Sequence, residues 1–204
     1  MNASEKTAVD RLYEEANSII QQLQKNSETS LQVSANDNFR KTLLLAAASQ
    51  FEHKICSLLI EFVNKKSNGS SLVESFVRNK AIARQYHSLF QWDKTNANQF
   101  FGLFGKEFSS WMSEKIKKSD QLSDSIKAFL DLGNTRNRLV HQDYASFPLD
   151  KTLDDVYQLY QKGQFFVENL LKELHECDLA CRAGAVAHVG GVDSDKSGSG
   201  GCGQ

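Results

Sequence analysis

The stretch Asn134-Thr135-Arg136-Asn137-Arg138-Leu139-Val140-His141 closes a segment whose apolar residues Ile126, Phe129, Leu130 and Val140 recur at helical spacing, with Leu132 and Leu139 flanking them. Polar and cationic side chains thus share one helix with residues that need a core, and the surrounding chain must supply other helices to bury them. Ser123-Asp124 offers a cap upstream. Gly133 interrupts the helix at about 1 kcal/mol relative to alanine, which predicts close approach of another backbone. Five residues on an ideal helix rotate by roughly 500°, so the Cβ atoms of Arg136 and His141 lie about 140° apart. One helix makes a poor pocket from that pair. Two copies facing across a twofold axis can bring Arg136 of one chain to His141 of the other, because a symmetric contact reuses the same patch.

Outward from this segment the pattern stays helical. Val9, Leu12, Tyr13, Ala16, Ile19, Ile20 and Leu23 form a first stripe over about residues 4–25, and the polar stretch Asn26 to Asn38 breaks it. From Phe39 to Phe62 the chain is apolar around most of a helical circumference, which predicts the centre of a bundle. Turn-forming residues Lys65 to Ser71 end it, and a third helix is predicted from about Leu72 to His87. Ser88 to Asn98 is irregular and aromatic, and Phe100-Phe101-Gly102-Leu103-Phe104-Gly105 reads as a tight packing corner. Phe108, Trp111, Met112 and Ile116 give another stripe, ended by Lys117-Lys118-Ser119-Asp120. After Pro148, the sole proline, Thr152-Leu153-Asp154-Asp155 opens a last helix through Leu174. The fold class expected is all-α: an N-terminal helix and linker over 1–35, a helical domain over 36–176 and a glycine-rich, disordered tail over 177–204.

With 24 Lys and Arg against 25 Asp and Glu, the net charge is −1, so any contact with nucleic acid must be local. The first residues lack an apolar leader, and no stretch is read as long enough to cross a bilayer, so a cytoplasmic location without membrane contact is expected. Four cysteines at 56, 177, 181 and 202 make no disulfide framework. Cys177, Cys181, His188 and Cys202 match no familiar zinc module, and neither metal nor cofactor is expected.

Arginine stays charged and offers forked donors to phosphate oxygens, while histidine moves protons near neutrality. The pair covers two needs of RNA phosphodiester cleavage. A ribose 2′-hydroxyl must lose its proton, and the extra charge on the crowded phosphate must be held. His141 suits the first and Arg136 the second.

Thr135 to His141 resembles the Arg-Asn-x-x-x-His signature of the HEPN superfamily, small helical proteins that include many metal-independent endoribonucleases of toxin–antitoxin and phage-defence systems. The setting strengthens the likeness: Ala47-Ala48-Ser49-Gln50-Phe51-Glu52 on a long helix, Asn96-x-Asn98 before Phe101 to Gly105, then the motif helix and an amphipathic closing helix. This order resembles the RiboL-PSP-type subgroup over about 36–175. The resemblance implies a homodimer with a shared cleft, Arg136 and His141 as catalytic pair, Asn137 as orienting residue, Glu52 as supporting acid, RNA as substrate and an antitoxin or regulatory partner. In one branch a tyrosine two residues after the histidine is nucleotidylated; here that position is Asp143 and the tyrosine is Tyr144.

Further candidates are basic. Arg78, Lys80 and Arg84 are read as a helical patch for phosphates, with Arg138 beside the motif and Lys115, Lys117 and Lys118 as another run. Charge runs of this kind usually do no more than solvate a helix, so these are secondary candidates. The aromatic cluster from Phe90 to Trp111 is read as core. The competing reading for the whole chain is a non-catalytic HEPN dimerisation or RNA- or nucleotide-binding module. A metal-dependent nuclease lacks clustered Asp and Glu at ligand spacing.

Overall fold

A computed structural model describes residues 6–189, with side chains through 183. Among the described residues there are eight α-helices, one π-helical turn and no strand. They are α1 (Ala8–Lys25), α2 (Thr29–Lys66), α3 (Ser71–Val77), the π turn (Arg78–Ile82), α4 (Tyr86–Leu89), α5 (Asn98–Gly102), α6 (Lys106–Lys118), α7 (Asp120–His141) and α8 (Leu153–Val189). The core forms where α2, α7 and α8 pack together: Leu44, Phe51 and Ile55 meet Phe129, Leu130 and Leu132 and, from the other side, Tyr160, Phe166 and Leu170. At the α7–α8 crossing the buried Ser125 hydroxyl accepts from the Phe166 amide at 2.6 Å and donates to the Gly163 carbonyl at 3.4 Å. Burying a polar group there is tolerated because both of its valences are met.

Several elements depart from the sequence expectation. The linker expected over 26–38 shrinks to a short turn, with Ser27 at φ 59°, and α2 starts at Thr29. The expected division between 35 and 36 therefore falls inside α2. Its polar first turns remain helical as solvated surface, where Asp37 pairs with Arg40 and Lys41, and packing of α1 along α2 overrides local propensity. A reciprocal cap opens α1, with Thr7 N donating to Asp10 Oδ2 at 2.8 Å and Asp10 N to Thr7 Oγ1 at 3.1 Å. Tyr13 stacks on Tyr157 of α8 with ring centroids 3.8 Å apart, and Val9 and Ala16 are buried, so α1 shares the core.

The third predicted helix is broken. After α3 and the π turn, Ala83 is extended and Arg84 takes φ 61° before α4 begins. The break turns Ile82, Tyr86 and Leu89 into the core and leaves Leu72, Val73 and Phe76 outside. Helix α7 begins earlier than Ser123-Asp124 suggests: Ser119 caps it, its Oγ accepting from Leu122 N at 3.2 Å.

Helix α8 opens on Thr152 and Asp155, which cap each other, and it passes the tail start expected at 177. Cys177 is buried there, and Asp178 pairs with Lys66 at 2.6 Å and with Arg182 at 3.0 Å. The rest of the expected disordered tail, 190–204, lies outside the described residues. One further expectation is corrected: α2 is long and apolar enough by composition to cross a membrane. Its apolar residues Leu43, Leu44, Ala47, Phe51 and Ile55 are instead covered by the bundle.

Candidate active site

Residues three and four apart share a helix face. On α2 this rule places Ala48, Phe51 and Glu52 together, and on α7 it places Gly133, Arg136 and Asn137 together. The two faces meet in a narrow cleft closed by Tyr86 of α4 and by Trp92. The cleft holds about 10 Å³, room for about a single water. A cavity of that size is too small to enclose a nucleotide.

Arg136 Nη1 donates to Asn137 Oδ1 at 3.1 Å, which orients the guanidinium. Arg136 is half-buried, and among the described residues it forms no ion pair, although Glu52 lines the same cleft. Arg40 pairs with Asp37, Arg78 with Glu74 and Arg182 with Asp178, whereas Arg84 and Arg138, which also form no ion pair among the described residues, are exposed. A partly desolvated guanidinium without a carboxylate partner keeps its donor fork for an anion from outside.

Tyr86 is buried, and that burial pushes its phenol far above the usual tyrosine range. The negative charge of Glu52 adds to the shift, Cys56 adds further, and Arg136 opposes it. The hydroxyl therefore stays protonated and remains a donor. Burial beside Glu52 likewise raises the Cys56 thiol. Sequence reasoning missed Tyr86 and placed Trp92 only in the core. Gly133 is where the ring of Trp92 approaches α7: a Cβ there would meet Trp92 Cζ3 at 2.1 Å. The close neighbour is thus an indole and not the backbone expected. Its Nε1 donates to the His87 carbonyl at 2.8 Å, which sets the ring against the helix.

His141 is the last residue of α7; it is exposed and does not line the cleft. Val140 beside it is also exposed, at 41%. The chain beyond is anchored by Lys41, a residue the sequence reading passed over. Its side chain is only 3% exposed, and Nζ pairs with Asp37 at 2.8 Å and donates to the Tyr144 carbonyl at 3.1 Å. A lysine four residues after an aspartate inside the most apolar helix was the available signal.

The basic candidates disperse. Arg138 is exposed, its guanidinium 5.6 Å from the centroid of the Phe147 ring. Arg78, Lys80 and Arg84 are exposed but span the π turn and the strained residue after it, so they do not form one helix face, and none lines the cleft. Lys115 is tied to Glu173 at 3.1 Å and Glu176 at 3.2 Å, and Lys117 to Glu114 at 2.8 Å. Phe90, Phe100, Phe101 and Phe108 are core residues. Among the described residues no three His, Cys, Asp or Glu side chains gather as metal ligands.

The sequence model of the RiboL-PSP-HEPN family matches residues 10–176. The match covers most of the chain, and the chain belongs to this family. HEPN domains are helical, are generally ribonucleases or related to nucleotide binding, and commonly dimerise and bind RNA. The match includes α1 from Asp10, beyond the span over which the likeness was read from sequence. Comparison with characterised proteins and with solved structures gives no match.

Proposed function

We propose that this chain is a metal-independent endoribonuclease whose active site is completed by a second copy. The observation that carries this reading is the half-buried Arg136 guanidinium, oriented by Asn137 and free of any ion pair among the described residues. In the proposed reaction the ribose 2′-oxygen attacks the adjacent phosphorus and the 5′-oxygen leaves, giving a 2′,3′-cyclic phosphate and a 5′-hydroxyl. His141 takes the 2′-hydroxyl proton or delivers one to the leaving oxygen. Arg136 holds the charge that builds on the phosphorane-like transition state. Asn137 orients the guanidinium, and Glu52 and Tyr86 form the rear wall.

Two features support pairing of chains. Arg136 lines the cleft whereas His141 is exposed at the end of α7 and does not, which suits a site completed by a second copy. Exposed Val140, and Tyr144 at 39%, give the end of α7 apolar surface suited to a twin. The proposed setting is cytoplasmic, as a toxin or phage-defence effector. A neutralising antitoxin or regulatory partner belongs to the same proposal, because unrestrained cleavage of RNA would harm the cell that makes the enzyme.

Incubation of the full chain with total RNA in EDTA tests the reading. Cyclic-phosphate ends that appear with wild type and vanish with His141→Ala, while the dimer stays folded, support it. Binding without cutting assigns the chain to the non-catalytic modules of its family, and loss of cleavage in EDTA revives a metal-dependent route.

A further inference from the structure

The segment Ile82–Trp92 has two faces. Tyr86 and Trp92 line the Arg136 cleft, whereas Ile82, Gln85, Ser88 and Leu89 line a separate groove of about 470 Å³. That volume falls in the range of small-molecule sites. Its walls are apolar, with Leu59, Phe62 and Val63 from α2 and Phe100, Leu103 and Phe104 from the α5 region.

The polar members of the groove differ in how they are satisfied. Ser88 Oγ donates to the Gln85 carbonyl at 2.8 Å, and the Ser88 carbonyl accepts from Gln99 Nε2 at 2.7 Å. Lys80 forms no ion pair among the described residues, and no carboxylate lines the groove. Its neighbour Arg78 is already held by Glu74 at 2.7 Å. The groove thus carries one uncompensated cation over an aromatic and aliphatic floor.

The backbone at this rim is also unusual. Lys80 sits in the π turn, where Ala83 N donates to the Arg78 carbonyl at 2.7 Å, and Arg84 follows at φ 61°. Left-handed geometry is strained for an arginine, and π turns recur at functional sites. A regular helix over this stretch, as its sequence pattern predicts, would have neither feature.

We propose that the groove binds a small amphipathic anion, its aliphatic or aromatic body against Phe62, Phe100 and Phe104 and its acidic head paired with Lys80. A single cation on an apolar floor does not suit a polyphosphate backbone, which needs several. The site is independent of the cleavage chemistry, and its test does not require active enzyme.

The full chain is titrated with decanoate and with decanol, read by displacement of 8-anilinonaphthalene-1-sulfonate fluorescence. One saturable site is expected, with decanoate bound about threefold to fivefold tighter than decanol, the upper range for an ion pair at an exposed lysine. Lys80→Gln should equalise the two ligands and leave decanol binding unchanged. Ala81→Trp, at an exposed lining position, should fill the groove and block both, and Leu103→Trp serves if the first variant misfolds. The proposal is overturned by any of the following: no saturable binding, no preference for the anion, a preference that survives Lys80→Gln, or ligands that still bind when the groove is filled. Uptake of an amphipathic peptide with neither small ligand bound also overturns it.

Discussion

Replacing Gly133 by alanine sets two effects of opposite sign against each other. In a helix interior alanine is favoured over glycine by about 1 kcal/mol. At this position, however, the new Cβ would lie 2.1 Å from Trp92 Cζ3 and 2.3 Å from Cε3, against roughly 3.5–4.0 Å for carbon atoms in contact. The indole cannot simply swing aside. Its ring centroid is 5.1 Å from Phe90, 5.5 Å from Tyr86 and 5.8 Å from Phe129, and its Nε1 is bonded to the His87 carbonyl at 2.8 Å. Displacing it costs about 1 kcal/mol of hydrogen bond and about 1–3 kcal/mol of repacking. After the gain in helix propensity is subtracted, Gly133→Ala is expected to lose about 1–3 kcal/mol, which lowers Tm by roughly 2–12 °C in a chain of this size. Denaturant and thermal unfolding of wild type, Gly133→Ala, Trp92→Leu and the double variant measure this as a cycle. In the Trp92→Leu background the alanine should become neutral or stabilising. If Gly133→Ala stabilises wild type by the propensity term alone, the indole does not lie against α7 and the rear wall of the cleft is misplaced.

Other outcomes follow from the same geometry. Lys41→Met removes the donor to the Tyr144 carbonyl and the partner of Asp37, and hydrogen exchange should accelerate over 142–149 while α8 stays protected, at a loss of about 1–3 kcal/mol. Arg136→Lys keeps the charge but loses the fork, so cleavage should fall by about 10²–10³-fold with the melting curve unchanged. Burial, and then the nearby charges of Lys65 and Lys66, hold the His175 imidazole below its ordinary pKa of 6.5. The unfolded chain therefore takes up that proton more readily. Stability should be flat above pH 6.5 and decline as pH falls below it, and chemical unfolding of His175→Leu should show a shallower decline.

Sequence reading reached the elements whose signals are local. Helical spacing of apolar residues placed α2 at the centre and α8 as the closing helix, and the Thr152 to Asp155 cap marked where α8 starts. It also brought Arg136, Asn137 and Glu52 into one proposal, and the structure places these three in one cleft. What it missed depends on distant contacts. Tyr86 and Trp92 reach the cleft because the chain breaks at the π turn and Arg84, and nothing in a stretch that reads as one helix announces that break. The role of Lys41 depends on carbonyls about a hundred positions later. Past 177, α8 continues with Cys177 buried and Asp178 paired with Lys66 of α2, contacts that composition alone does not show.

The central claim is that Arg136 and His141 act together across two chains. Arg136→Ala and His141→Ala are each expected to be inactive in EDTA. Mixed in equal amounts and allowed to exchange subunits, they should recover about a quarter of wild-type cleavage, because half of the dimers are mixed and each mixed dimer regains one of its two sites. No recovery from a mixture shown to contain the mixed dimer would contradict the claim.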